Sequence, residues 1–440
     1  MYVQMSQILG TPSFPSQWDP LRTPLFPAEL KTVFWLMGMH PGAVVALNCL
    51  MGFCGIWALG AALKRIGFPR AAGAGIVVLS FYPAIITYEH SLLSDIGIFF
   101  FCTCMINVTL WQPQSLWRKT LAMILTFTLA YYYRANLIYL APVAAVIHGI
   151  DIYLRNRTIP GSRHLRSAML HTALVAAIPF VLSYPWKLTV PSGGRTSEVL
   201  LLGFVCQAVI PPEDPVMAGD PDYVQTINSS MVWGYLSIGG LGGQGQTVAL
   251  KHMEALKQYS PLTLIAKYPW RYGKGVIRTV LLFFGGHPIF SETKAFLRSI
   301  IRQDDQSDTP MMGCPPYLMP LMQEHFTQKS GKSAIGNMIL FLDPVFDWLI
   351  IIGSLVTAGM GIVALLKLNV ELMSFSLISL AVVAMYALVL LSAERYAVPC
   401  YSIGVFNLFV TGGYFLEPRS SLSSVTITSI PDGIILKNSG

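Results

Sequence analysis

The chain has 440 residues, of which 53% are hydrophobic and only 12% are charged, and its mean hydropathy is +0.56. Soluble domains carry about a quarter charged residues, so this composition excludes a water-soluble globular enzyme and favours a series of membrane helices. The net charge of +7 comes from basic residues in short connections between apolar runs, which is the distribution that the positive-inside rule predicts.

The N-terminal segment 1–40 contains no apolar run that is long enough to cross a bilayer. Residues 18–27 are rich in proline and lead into a short amphipathic stretch that is interrupted by Glu29 and Lys31. Such a stretch is typical of a helix that lies on the membrane surface.

Nine apolar runs have about the length of a membrane-spanning helix. They cover residues 41–63, 71–88, 92–111, 119–134, 135–152, 168–188, 345–367, 373–392 and 395–416. Basic residues mark alternate connections as cytoplasmic, which places the intervening connections outside. The sequence therefore predicts an all-α polytopic membrane protein with five parts: an external juxtamembrane segment (1–40), an N-terminal transmembrane module (41–188), an external mixed domain (189–344), a C-terminal transmembrane module (345–416) and a cytoplasmic tail (417–440).

The external turn before the third run carries several titratable side chains. Glu89, His90 and Asp95 place two carboxylates and an imidazole at the membrane surface. Asp95 begins the next helix, where a carboxylate is stabilised by the helix macrodipole. The alternative is that Asp95 acts as a base, orients an acceptor or helps to bind a cation at the edge of the membrane.

Three cations lie at the external ends of apolar runs. Arg134 follows three tyrosines in the middle of the stretch 121–150, Lys187 ends the sixth run, and Arg395 begins the ninth. Each side chain either extends to the lipid headgroups or binds a phosphate through its N–H groups. Three cations at one depth predict a site for an anionic lipid headgroup.

Four motifs follow one another on the external side of the membrane. They are Tyr2–Leu9 with Arg22–Pro27, Ser91–Asp95, Tyr133–Asn136 with Pro142, and Glu394–Tyr396 with Pro399. Their order and spacing resemble the GT-C glycosyltransferases that use a polyprenyl-phosphate sugar donor, a group that includes protein mannosyltransferases and the bacterial lipid A aminoarabinose transferase.

The resemblance implies a GT-C-like bundle of about nine or ten transmembrane helices with a catalytic cavity at the membrane surface. Asp95 corresponds to the acidic residue of the second external loop, and Arg134 and Arg395 correspond to cations near the donor phosphate. We expect Arg22 and Lys187 to contribute to the same phosphate site.

One feature of the family is missing. Its catalytic aspartate lies in the first external loop, just before the position that matches Tyr2, and follows a first transmembrane helix; neither is present here. Three interpretations remain: a start placed too far downstream, which we favour; an inactive homologue; or a chain in which Asp19 replaces the missing catalytic residue.

The implied reaction is direct transfer of a sugar from polyprenyl phosphate, in bacteria undecaprenyl phosphate, to a protein or glycolipid acceptor. We expect it on the periplasmic face of a bacterial inner membrane, in contact with membrane lipids and without a nucleic-acid partner. If a divalent metal ion takes part, His90, Asp95 and His287 are its candidate ligands. The alternatives are a flippase or transporter for lipid-linked sugars and a catalytically silent scaffold. The clustering of charge at one interface argues against a transporter.

Overall fold

The computed structural model describes most of the helical part of the chain. The described residues are 2–14, 16–18, 23–89, 95–113, 115–156, 163–190, 200–201, 203–205, 209–211, 213–214, 256–257, 259–286, 334–390 and 394–417. Within these ranges, every regular element is a helix.

The N-terminal half consists of short surface helices followed by a helical bundle. Its elements are α1 (Tyr2–Ile8), α2 (Leu25–Met37), α3 (Pro41–Arg65), α4 (Pro69–Ser80), α5 (Pro83–Glu89), α6 (Asp95–Leu110), α7 (Leu116–Tyr133), a 3-10 helix (Ala135–Leu140), α8 (Ala141–Asn156) and α9 (Arg163–Thr189).

The second half adds two short helices and three long ones. They are α10 (Pro261–Lys267), α11 (Pro269–Leu281) with a π-helical turn (Leu282–Gly286), α12 (Ala334–Lys367), α13 (Val370–Leu388) and α14 (Glu394–Leu416).

Five helices in the described part of the chain are long and apolar enough to cross a membrane. They cover Gly42–Arg65, Ala135–Arg155, Leu165–Thr189, Phe341–Lys367 and Val370–Leu388. The predicted span 71–88 is divided between two helices, α4 and α5. The predicted spans 92–111, 119–134 and 395–416 correspond to α6, α7 and α14, which are shorter or less apolar than the five helices, and residues 92–94 lie outside the described part of the chain. The protein is therefore a polytopic helical membrane protein.

The two transmembrane modules share one apolar core. Helix α14 packs against α4 and α6, and α13 packs against α6 and α8. At the crossing of α12 and α14, Gly353 lies so close to Gly404 that a Cβ would meet its backbone, which is a common arrangement of membrane helices. At one end of this core, the Glu417 carboxylate accepts hydrogen bonds from the Arg70 and Ala71 backbone N–H groups at 2.9 and 3.0 Å.

A buried polar network joins α7, α8 and α9 at the end of the bundle that the sequence places in the cytoplasm. Lys119 is 2% exposed and its Nζ lies 2.7 Å from Asp151 Oδ2. Arg155 Nε lies 2.7 Å from the other oxygen of the same carboxylate. The Thr120 hydroxyl lies 3.1 Å from His148 Nε2. Lys119, which follows Arg118 in one of the basic connections that the sequence predicts on the cytoplasmic side, thus lies inside the bundle.

Two apolar pieces of the predicted external segment 189–344 join the bundle. The piece 276–285 belongs to α11 and the π turn, where Phe283 is buried. The piece 334–342 belongs to α12, which begins before the predicted span at 345. The domain boundaries and the external position of this segment remain predictions, and most of the segment lies outside the described residues.

Candidate functional site

A buried ion pair joins two of the predicted site residues. Arg134 Nη1 lies 3.0 Å from Asp95 Oδ1, and the side chains are 16% and 2% exposed, respectively. Asp95 is the first residue of α6, where the helix macrodipole favours a negative charge. Since an unpaired charge is costly in such surroundings, the two residues require each other.

The backbone around Arg134 changes from one helix type to another. Arg134 ends α7 in an extended conformation, with φ −152° and ψ 118°. Its N–H group donates to Ala130 O at 2.8 Å, and its carbonyl accepts from Leu137 N at 3.0 Å. The predicted boundary between the runs 119–134 and 135–152 is therefore present as a break between two helices, and Arg134 at this break reaches the start of α6.

Tyr133 lies directly behind this pair in the core. Its ring packs against Phe26 of α2 at 5.6 Å and against Phe101 of α6 at 5.1 Å between ring centroids. Its hydroxyl donates to Met51 Sδ at 3.6 Å. Gly97 faces the same ring, and a Cβ there would overlap the tyrosine hydroxyl. This close packing holds α2, α6 and α7 in a fixed arrangement around Asp95.

Glu29 of α2 is a second carboxyl group at this site. Its Oε2 is buried and has no hydrogen-bond partner among the described residues. Burial raises the pKa of Glu29 from 4.5 to about 8. Glu29 and Asp95 both lie within electrostatic range of Tyr133. The site therefore contains one carboxylate neutralised by arginine and one carboxyl group without a counterion among the described residues.

The site connects to the C-terminal module through the residues that follow Arg134. Asn136 Nδ2 donates to the Tyr386 hydroxyl of α13 at 3.0 Å. The Tyr386 ring stacks on Phe283 of the π turn, with centroids 6.1 Å apart. The end of α13 and the π turn therefore lie at the same end of the bundle as Asp95 and Arg134.

The other predicted cations are only partly described. Lys187 lies near the end of α9 with an exposed side chain, and its neighbour Trp186 packs against Phe14 and Trp18 of the N-terminal segment. Arg395 belongs to α14, but its side chain lies outside the described residues, as do Asp19 and Arg22 entirely. The grouping of these cations around one phosphate therefore remains a prediction.

The metal site also remains a prediction. Within the described part of the chain, no group of three His, Cys, Asp or Glu side chains is arranged to hold a metal ion. His90 and His287 lie outside that part. Asp95, the third candidate ligand, already has one oxygen bonded to Arg134.

Sequence reasoning did not single out Glu29 as a site residue, because a lone carboxyl in a short amphipathic helix is typical of a solvated surface. The position of Glu29 relative to its apolar neighbours did indicate that it faces the protein interior. Glu29 lies three residues after Phe26 and next to Leu30, which are 0% and 1% exposed, and residues three apart share a helix face.

Comparisons with known proteins give one structural match. No protein-family model matches the sequence, and no curated protein matches it significantly. The chain is similar to the crystal structure of ArnT from Cupriavidus metallidurans bound to undecaprenyl phosphate, with a match probability of 1.00, 14% sequence identity and a TM-score of 0.32. The match covers 93% of this chain and 72% of that chain.

ArnT belongs to the family that the sequence motifs resemble. At a TM-score of 0.32, however, the backbones differ too much for the match to decide the activity of this chain.

Proposed function

We propose that the protein is a membrane glycosyltransferase that moves a sugar from a polyprenyl-phosphate donor to a protein or glycolipid acceptor at the external face of the membrane. One observation carries the proposal: the buried Asp95–Arg134 ion pair and a second carboxyl group with a buried oxygen, Glu29, both act electrostatically on Tyr133 at one end of the bundle. This transfer needs two chemical groups: a cation for the leaving phosphate and a separate carboxyl group for the acceptor proton.

Arg134 is the proposed phosphate ligand. Its guanidinium is partly exposed, and a planar fork of N–H donors suits the oxygens of a phosphate monoester or diester. Asp95 positions the guanidinium by holding Nη1. The guanidinium N–H groups would stabilise the phosphate as it leaves the sugar.

Glu29 is the proposed general base. The hydroxyl oxygen of the acceptor attacks the anomeric carbon, the bond from that carbon to the phosphate oxygen breaks with its electron pair, and the acceptor proton passes to Glu29. A carboxyl group whose pKa is raised to about 8 is a strong base once it is ionised.

The proposal is tested by donor turnover. Purified protein in nanodiscs is incubated with a mixture of polyprenyl-phosphate sugars and acceptor extracts, and released polyprenyl phosphate is measured by mass spectrometry. Wild type should release it. Glu29→Gln should lose at least about 100-fold in rate, the usual contribution of a general base, and Glu29→Asp should recover part of the rate. Arg134→Gln should also weaken donor binding.

The matched control is Asp151→Asn, which breaks a buried ion pair with Lys119 at the opposite end of the bundle. It should leave turnover per folded molecule unchanged. If the protein in closed vesicles moves labelled lipid across the bilayer without removing its sugar, the protein is a flippase. If lipid binds and is neither moved nor cleaved, the scaffold interpretation is correct.

A further inference from the structure

Helix α11 has an exposed face that combines apolar and basic side chains. Trp270, Ile277 and Leu281 are 80%, 58% and 63% exposed. Their spacing of seven and four residues places them on one side of the helix. Lys274 lies between them in the sequence, on the same side, and its side chain is exposed.

The opposite face of α11 is packed against protein. Gly275 and Thr279 are buried, and Tyr272 and Val276 contact a small apolar cluster that includes Leu390. The exposed face of α11 therefore points away from the described core.

The anchoring of α11 fixes its level relative to the membrane. The Tyr272 hydroxyl donates to Leu388 O at 2.7 Å, and Leu388 is the last residue of the membrane-spanning helix α13. At its other end, α11 continues into the π turn, where Tyr401 donates to Leu282 O at 3.3 Å. The N-terminal part of α11 consequently lies at the level where the spanning helix α13 ends, and its C-terminal end leads to the buried Tyr401 of α14.

All the charged residues of α11 are basic. Arg271, Lys274 and Arg278 are its charged residues, and no acidic residue occurs between Pro261 and Gly286. Arg271 is exposed. The neighbouring Lys267 is paired with Asp214 at 2.6 Å, and the exposed cations of α11 are Arg271 and Lys274.

We propose that α11 lies in the surface of the external leaflet and binds anionic phospholipids, with Trp270, Ile277 and Leu281 inserted among the acyl chains and Arg271 and Lys274 at the lipid phosphates. Apolar residues flanked by cations are the pattern of interfacial helices, and long basic side chains reach the headgroups while their stems stay in apolar surroundings. This role does not depend on the glycosyltransferase activity.

The test uses the full chain with a photoreactive benzoylphenylalanine in place of Ile277. The protein is reconstituted in vesicles of phosphatidylethanolamine with or without phosphatidylglycerol, irradiated, and analysed for lipid adducts. A probe at Phe341, which is 78% exposed on the spanning helix α12, is the positive control for lipid contact and for folding.

The proposal predicts a lipid adduct at position 277 in which phosphatidylglycerol is enriched over its share of the vesicle. The double substitution Arg271→Gln with Lys274→Gln should remove this enrichment, since each cation near an anionic surface raises binding by about fivefold. Arg70→Gln with Arg118→Gln, which removes two exposed cations elsewhere, should leave it unchanged. An absence of lipid adduct at 277 while 341 reacts would overturn the proposal, as would an unchanged phosphatidylglycerol share in the Arg271 and Lys274 variant.

Discussion

Replacing Arg134 should lower the stability of the protein more than replacing its ion-pair partner Asp95. Arg134→Gln leaves Asp95, with its side chain 2% exposed, as an uncompensated buried charge. Removing one partner of a buried ion pair typically costs about 3–5 kcal/mol of stability. Asp95→Asn leaves Arg134, which is 16% exposed and can turn towards the headgroups. We expect that substitution to cost about 1–2 kcal/mol.

The double variant gives the coupling between the two residues. With both charges gone, no buried ion remains, so the double variant should be more stable than Arg134→Gln alone. We expect a coupling energy on the order of 2 kcal/mol, within the range for residues in direct contact. The measurement is equilibrium unfolding of the four proteins in the same detergent.

Lys187→Gln is the control for this cycle, because Lys187 is an exposed cation. A surface substitution of this kind should change stability by less than about 0.5 kcal/mol. The stabilising role of the Asp95–Arg134 pair is refuted if Arg134→Gln costs no more free energy of unfolding than Lys187→Gln. It is also refuted if the double variant loses the sum of the two single losses, since the residues would then be independent.

Three further predictions concern stability. Glu29 binds a proton more tightly in the folded protein, so its contribution to the free energy of unfolding is complete below pH 4.5 and is lost as the pH rises to about 8. Glu29→Gln should remove this part of the pH dependence of stability, up to about 5 kcal/mol. An unchanged slope of thermal stability against pH in this variant would contradict the prediction. Gly97→Ala should cost about 1–3 kcal/mol by overpacking against Tyr133, and the same unfolding measurement should show that Tyr133→Phe does not relieve the loss, because the ring also overlaps the new Cβ. Asp151→Asn should cost about 3 kcal/mol or more because it strands buried Lys119; an equal loss from removing the more exposed partner, Arg155, would show that burial does not set the cost.

The helices of the bundle could be predicted from the sequence, because long apolar runs leave few alternatives in a bilayer. The bend at Arg134 could also be predicted, since a charge in the middle of an apolar stretch needs a break or a partner. The partner itself could not. Asp95 is 39 positions away, and their contact depends on how α6 packs against α7.

The burial of the second carboxyl group, Glu29, could not be predicted from the sequence either. Glu29 lies in a short helix whose pattern is that of a membrane surface, and only the packing of Phe26 against Tyr133 turns its face inwards. The same applies to Lys119, which the charge pattern places in a connection and which the structure buries beside Asp151. Local patterns predict which segments are helices, whereas contacts between distant helices decide which polar side chains are buried.

A lipid phosphate should bind at the end of the bundle where Asp95 and Arg134 form their ion pair. A cryo-electron microscopy structure of the protein in nanodiscs with polyprenyl phosphate would show this site. We expect density for the phosphate within about 3 Å of the Arg134 guanidinium and the isoprenoid chain leading from it into the bilayer. Phosphate density at the opposite end of the bundle, beside Arg155, with none at Arg134, would contradict it.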